Sequence, residues 1–220
     1  MSVVPLKHRD KSIISHFSDG LRIVFSKGQT IIHGFQEPNG VYLIKEGFVK
    51  AYSVSLDRNV NLLLIHEVGE FIPLPWALNG TNVTGLSYEA MTDVVVLEAS
   101  KDRLRSAMGN NPWLAEEILS QTVNIIALYT QRIQTLEFRS ARERIVAEMI
   151  YLTKRFGRQQ NGGIVIDVPI THQDIADSIS MNRETASRTI ELLFSEGLLV
   201  QRDHLFCVVD VTRLLAILGE

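Results

Sequence analysis

The chain has 220 residues, of which 45% are apolar and 21% charged, with a formal net charge of −3. This length suits one medium domain plus one small one with ample core material, and no run approaches the roughly 18 consecutive apolar residues that a membrane span needs. From Arg139 to the end there are ten Lys or Arg against eleven Asp or Glu, so bulk charge does not announce nucleic acid, and any DNA contact must come from local placement of basic side chains.

The opening MSVVPLKHRDKS is charged and is followed by no apolar run of the secretory kind, which makes the cytoplasm the expected location. Residues 20 to 100 then alternate β-rich runs (LRIVF, TIIHGF, VYLIKEG, FVKAYSVS, VNLLLIH, VVVLEAS) with turn signals such as SKGQ, EPNG, LDRN and EVGE. Short strands at this spacing predict a small β-barrel or sandwich. Gly28, Gly40, Gly47 and Gly69 fall at the turns and are explained by turn chemistry.

Asn111 and Pro112 open a run to residue 137 with no further proline or glycine, which predicts a helix about 40 Å long at 1.5 Å per residue. Leu119, Thr122, Ile126, Tyr129, Ile133 and Leu136 recur on it at spacings of three and four. That stripe fits either a coiled-coil seam with a second copy or burial against the chain's own barrel. A second helix is expected over RSARERIVAEMIYLTKRF, with RQQNGG as a loop before the strand-like IVIDVPI. The boundaries read from these changes are 1–109, 110–137 and 138–220.

Thr171 and Asp174 form a Thr-x-x-Asp capping pair at the start of a short helix from His172 to about Ile179, and Ser180 and Met181 make a turn. Asn182 is a good N-cap for a second helix running to Ser195 and stopped by Gly197. Ala186, Ile190 and Leu193 make its inward stripe, while Glu184, Ser187, Arg188 and Glu191 lie on the opposite face. A tight helix pair with Arg183 and Arg188 flanking the first turns of the second helix is a helix-turn-helix. Its arginines are suited to guanine O6 and N7, and its Glu184 to cytosine N4. Thr171 and His172 stand at the start of the first helix as further DNA-facing candidates. LLVQRDHLFCVVDV then reads as a hairpin wing, whose Arg202 either reaches a phosphate or is a solvated turn residue. Cys207, the single cysteine, sits in this apolar run as a small buried hydrophobe; its solitude excludes an intrachain disulfide and a cysteine-ligated iron-sulfur cluster within one chain.

The string ITHQDIADSISMNRETASRTIELLFSEGLL resembles the winged helix-turn-helix of the CRP/FNR family of bacterial regulators. Arg183, Glu184 and Arg188 match the Arg-Glu-x-x-x-Arg pattern of its cyclic-AMP receptor branch. Glu184, Ser187 and Arg188 match the Glu-x-x-Ser-Arg pattern of its oxygen-sensing branch. SKGQTIIHGFQEPNGVYLIKEGFVKAYSVS and VGEF look like the family's effector domain. The resemblance implies an α+β protein: an N-terminal cupin-like β-barrel (a double-stranded β-helix), a long dimerisation helix and a C-terminal winged helix-turn-helix. It further implies a homodimer on double-stranded DNA, under control of a small-molecule effector, and contact with RNA polymerase if the protein activates.

The effector domain departs from the cyclic-nucleotide pattern, in which an Arg followed by Ser or Thr holds the cyclic phosphate. No arginine occurs between Glu70 and Met91, and the corresponding position falls near Thr84 and Gly85, so no cyclic-AMP response is expected. Glu70, Pro73, Trp76, Tyr88 and Met91 are the candidate lining of a different effector pocket, with core and turn packing as the alternative. The cysteine cluster of the oxygen sensors is absent, the six histidines have no paired ligand spacing, and no metal ligand is assigned. A cupin-type metalloenzyme is the competing class, but no Gly-x-Ser-x-Gly, phosphate loop or paired-His motif supports an enzyme.

Overall fold

The computed structural model describes residues 11–56, 59–79 and 85–219. The chain forms two compact units that meet between Tyr129 and Thr130. Among the described residues no helix is long and apolar enough to cross a membrane.

The first unit holds α1 (Lys11–His16), β1 (Leu21–Phe25), β2 (Thr30–Ile32), β3 (Val41–Glu46), β4 (Val49–Val54), β5 (Val60–His66), β6 (Phe71–Ile72), α2 (Leu74–Asn79), β7 (Ser87–Ala90), β8 (Val94–Ala99) and α3 (Lys101–Asn110). The strands make two antiparallel four-stranded sheets, ordered β1-β8-β3-β6 and β2-β7-β4-β5. The expected barrel therefore takes the form of two open sheets, jelly-roll-like. β6, β7 and the three helices have no counterpart in the sequence expectation: β6, β7 and α1 are short, α2 holds a proline, and the polar α3 buries Leu104 without an apolar stripe.

Strand alternation explains how this unit is filled. Val41 and Leu43 on β3, with Leu97 and Ala99 on β8, turn one face toward Ile13, Phe17, Leu74, Trp76 and Leu104. Tyr42, Ile44, Val94 and Val96 alternate with them and are equally buried, so this sheet is covered on both faces. That is why VVVLEA reads as a continuous apolar run and not as an alternating one. The β3–β4 turn depends on Gly47, whose φ is +87° and where a Cβ would lie 2.3 Å from the carbonyl oxygen of Asp93.

α4 (Pro112–Phe138) spans 27 residues, with Asn111 both ending α3 and accepting the Leu114 N–H at 3.4 Å. Its first half buries Leu114, Ile118 and Gln121 in the first unit.

The second unit takes in the end of α4 followed by α5 (Ala141–Phe156), β9 (Gly157–Gln160), β10 (Gly163–Ile166), α6 (His172–Ser178), α7 (Arg183–Ser195), β11 (Leu199–Arg202), β12 (Leu205–Val208) and α8 (Val211–Ile217). Ser140 and Glu143 form a reciprocal capping box that starts α5, and the buried Ile145, Val146, Met149 and Leu152 make α5 the backing of the unit. The expected loop RQQNGG is mostly strand. β9 pairs with β10 through Gly163↔Gln160 to Ile166↔Gly157, and the turn shrinks to Asn161 and Gly162. Polar residues suit an edge strand of the sheet β11-β12-β10-β9, which disguised it as loop. At the junction of α4 and α5 a buried pair forms, with Arg132 Nη2 donating to both carboxylate oxygens of Glu148 at 3.1 and 3.2 Å.

Candidate nucleic-acid interface

The helix pair is built locally. Thr171 (φ −99°) caps α6, accepting the Asp174 N–H at 3.1 Å while the Asp174 carboxylate accepts the Thr171 N–H at 3.0 Å. Thr171 is thus occupied by its own helix. The turn closes with Met181 N–H donating to Ala176 O at 2.9 Å and Ser180 at φ 52°. Asn182 Oδ1 accepts the Thr185 N–H at 2.8 Å to start α7. Ala176 on α6 and Ala186 on α7 are fully buried, which lets the two helices cross closely, and Ile175, Ile179, Ile190 and Leu193 complete the seat. Gly197 (φ +66°) ends the helix, and Leu198 N–H donates to Leu193 O at 3.0 Å.

This arrangement leaves Arg183, Glu184 and Arg188 exposed on one side of α7. Arg188 and Glu184 lie 3.6 Å apart with their side chains 80% and 85% exposed, an i,i+4 contact of little energetic weight that leaves both groups available. Ser187, on the same side, is half-buried: its hydroxyl lies 3.1 Å from His172 Nδ1 on α6. The His172 ring stacks on Phe206 of β12 at 5.6 Å, and Phe206 stacks on Phe194 of α7 at 6.0 Å. The wing is the hairpin β11–β12, tipped by Asp203 (φ 47°) and His204 (φ 65°). The Arg202 guanidinium donates to the Asn161 carbonyl at 2.5 Å, linking the wing to the β9–β10 turn. Behind the pair, Arg142 of α5 makes two bonds to Glu196 at 2.8 and 2.5 Å, holding that carboxyl below the usual glutamate range. Cys207 is fully buried in β12.

In the first unit the five candidate pocket residues divide. Trp76 sits in the helix-covered core with Lys101 Nζ 3.6 Å above its ring, so it belongs with Phe17 and Leu104. Glu70 and Tyr88 instead gather around a residue that the sequence reading passed over, His66. Its Nδ1 lies 2.6 Å from Glu70 Oε2, and its ring centroid is 5.8 Å from that of Tyr88, with all three residues buried. Burial, with Tyr129 of α4 adding to it, pushes the Tyr88 hydroxyl well above its ordinary range. Gln121 of α4 donates to Gly69 O at 3.1 Å, tying α4 to the turn that carries Glu70. His66 and Glu70 are four residues apart across a turn, and that spacing was the available signal. Pro73 and Met91 are buried, Gly85 takes φ +58°, and Thr84 lies outside the described residues. No group of three or more His, Cys, Asp or Glu is placed to hold a metal among the described residues.

On α4, Leu119, Ile126 and Ile133 are exposed, as is Val123, which the sequence stripe omitted. Thr122, Tyr129 and Leu136 are half-buried, and the Thr122 hydroxyl donates to Ile118 O at 2.9 Å.

A jelly-roll-like effector unit, a long helix and a winged helix-turn-helix with an exposed arginine–glutamate face define a two-domain DNA-binding transcription regulator. Residues 22–111 match the profile of the cyclic nucleotide-binding domain and residues 143–217 that of the Crp-like helix-turn-helix domain. The chain is 24% identical over 173 residues to the CRP-like cAMP-activated global transcriptional regulator of Mycobacterium tuberculosis, covering 76% of this chain and 74% of that protein. It is 27% identical over 167 residues to the global nitrogen regulator of a Nostoc species, with 76% and 75% covered. Among solved structures it is similar to a CooA variant from Carboxydothermus hydrogenoformans (TM-score 0.78, 19% identity, covering 92% of this chain and 89% of that one). It is also similar to the c-di-GMP responsive global regulator CLP of Xanthomonas campestris (TM-score 0.75, 20% identity, 91% and 100% covered). The chain belongs to the CRP/FNR family of transcription regulators, a family of regulators and not of enzymes.

Proposed function

We propose that the protein is a cytoplasmic, homodimeric regulator that reads an inverted-repeat DNA site through α7 and is switched by a small molecule other than cyclic AMP. The observation that carries the DNA reading is the exposed face Arg183, Glu184 and Arg188 on a helix seated by Ala176 and Ala186. In a major groove the arginines donate to guanine O6 and N7, and Glu184 accepts from cytosine N4. Residues 1–109 serve as the effector domain, 110–137 as the dimerisation helix and 138–220 as the DNA-binding domain. Leu119, Val123, Ile126 and Ile133 are exposed at heptad-like spacing and form the centre of the seam with a second copy. Two copies then set their recognition helices about 34 Å apart, one turn of DNA. If the complex activates, its further partner is RNA polymerase.

Support for an effector other than cyclic AMP is electrostatic: with no arginine between Glu70 and Met91, the cyclic phosphate loses its usual guanidinium partner. Control requires the effector to bind one dimer state better than the other. A second reading, a constitutive regulator with a scaffold domain, is favoured by His66 and Glu70 being closed on each other beside the buried Tyr88. Equal DNA affinity for ligand-stripped protein and protein exposed to cell extract selects that second reading. The DNA assignment is tested by fluorescence anisotropy on a duplex with inverted TGA half-sites. Arg188→Ala is expected to lose about 1–3 kcal/mol per half-site and to relax the guanine preference. Unchanged base preference refutes it.

A further inference from the structure

Resting on the DNA reading above, we infer that His172 is a positioning residue that sets the hydrogen-bond polarity of Ser187 and through it the base preference at one position of each half-site. Ser187 lies on the arginine–glutamate side of α7, yet its hydroxyl is not free to serve any base. It is 3.1 Å from His172 Nδ1, a hydrogen bond that crosses from α7 to α6. A hydroxyl has one proton and two lone pairs. When that proton goes to Nδ1, the oxygen offers the groove only lone pairs. Ser187 then accepts from the exocyclic amino group of adenine or cytosine and has nothing to donate to guanine N7 and O6 or thymine O4.

The arrangement is held and not incidental. The His172 ring is stacked on Phe206 at 5.6 Å with planes 26° apart, and Phe206, itself buried, is stacked on Phe194 at 6.0 Å. These contacts join α6, β12 and α7 and hold the plane of the ring, in which Nδ1 lies within hydrogen-bond distance of Ser187. The neutral ring with its proton on Nε2 is the tautomer that accepts from Ser187, and Nε2 keeps its own proton for solvent or DNA. The stack draws on residues from three elements, and its contact with the α7 face described above is the His172–Ser187 hydrogen bond.

The test is a set of duplexes in which each base pair of an inverted-repeat site is varied singly, with affinities measured by anisotropy for the full-length protein. For the base that faces Ser187 on the contacted strand, the parent is expected to favour adenine or cytosine over guanine or thymine by roughly three- to ten-fold, the worth of one neutral hydrogen bond. His172→Phe keeps an aromatic ring on Phe206 but has no Nδ1. It is expected to bring that ratio below about two-fold while leaving preferences at the other base pairs in place. Ser187→Ala loses the same ratio, and the double variant loses no more than Ser187→Ala alone, because both changes remove one interaction. His172→Asn, which returns a side-chain acceptor near the Nδ1 position, is expected to restore the ratio, and if the Phe variant does not fold His172→Leu, which also lacks the acceptor, carries the test with the same expected loss. An intact ratio in His172→Phe, a uniform loss across all positions, or additive losses in the double variant overturns the inference. So does an unchanged preference in Ser187→Ala. If Arg188→Ala also leaves every preference intact, it is the reading of the α7 face that has failed, and not only the role of His172.

Discussion

Glu148→Ala offers the sharpest test of how the last turns of α4 are held on α5 within the second unit. Glu148 takes two bonds from Arg132 Nη2, and the two side chains are only 7% and 11% exposed. The pair itself need not stabilise the fold against a well-packed apolar alternative, since desolvating both charges offsets much of their attraction. Removing one partner is another matter, because Arg132 is then left charged in a site that excludes water. The expected loss is about 3 kcal/mol, at the lower end of the range for a broken buried pair because Arg132 keeps other contacts. Hydrogen exchange of the α5 amides between residues 145 and 152 reads this directly. Their slowest protons exchange through opening of the whole unit, so 3 kcal/mol corresponds to roughly 10²-fold faster exchange. The double variant Arg132→Met, Glu148→Leu is expected to recover most of the loss. Acceleration of less than about ten-fold in Glu148→Ala, or a double variant as fast as the single one, refutes the account of a charge left without its partner.

On α4, Ile126→Glu places a charge at the centre of the exposed apolar stripe, and sedimentation is expected to show dissociation to monomers with DNA affinity falling in step. Gly47→Ala puts a Cβ 2.3 Å from the Asp93 carbonyl oxygen at φ +87°, so thermal unfolding of the effector unit should shift down by an amount equivalent to about 1–3 kcal/mol. Acid sensitivity has a definite sign. The carboxyls of Glu143 and Glu196 are held below their ordinary value of 4.5, the first chiefly by Ser140 and the second by Arg142. Depressed values mean that the stabilisation is present above that ordinary value and is lost as pH falls through the lower folded-state values. Glu196→Gln is therefore expected to flatten part of the acid loss in a pH series of urea unfolding curves by lowering stability at pH 7 while leaving it nearly unchanged at the acid end. An unchanged acid limb would argue against the Arg142 contact.

Sequence alone determined what is encoded by near neighbours. The capping residues Thr171 and Asn182, the turn at Ser180 and Met181, the buried stripe Ala186, Ile190 and Leu193, and the long α4 were all legible, because helix caps and helix faces are set by residues one to four positions apart. Six strands of the effector unit were legible for the same reason. The short strands β6 and β7 gave too few residues for a period to show, and the polar edge strand β9 looked like a loop. Only the tertiary structure could place side chains from different elements together or apart. It placed Trp76 in the helix-covered core, gathered His66, Glu70 and Tyr88, and set Arg202 against the Asn161 carbonyl. It also tied Ser187 to His172, fifteen residues away. Those pairings depend on which face of each strand or helix meets which neighbour, and local periodicity says that a face is buried without saying against what. The exposed arginine–glutamate face of α7 was therefore visible in the chain, while the His172–Ser187 contact was fixed by the crossing of two helices and the stack on a wing.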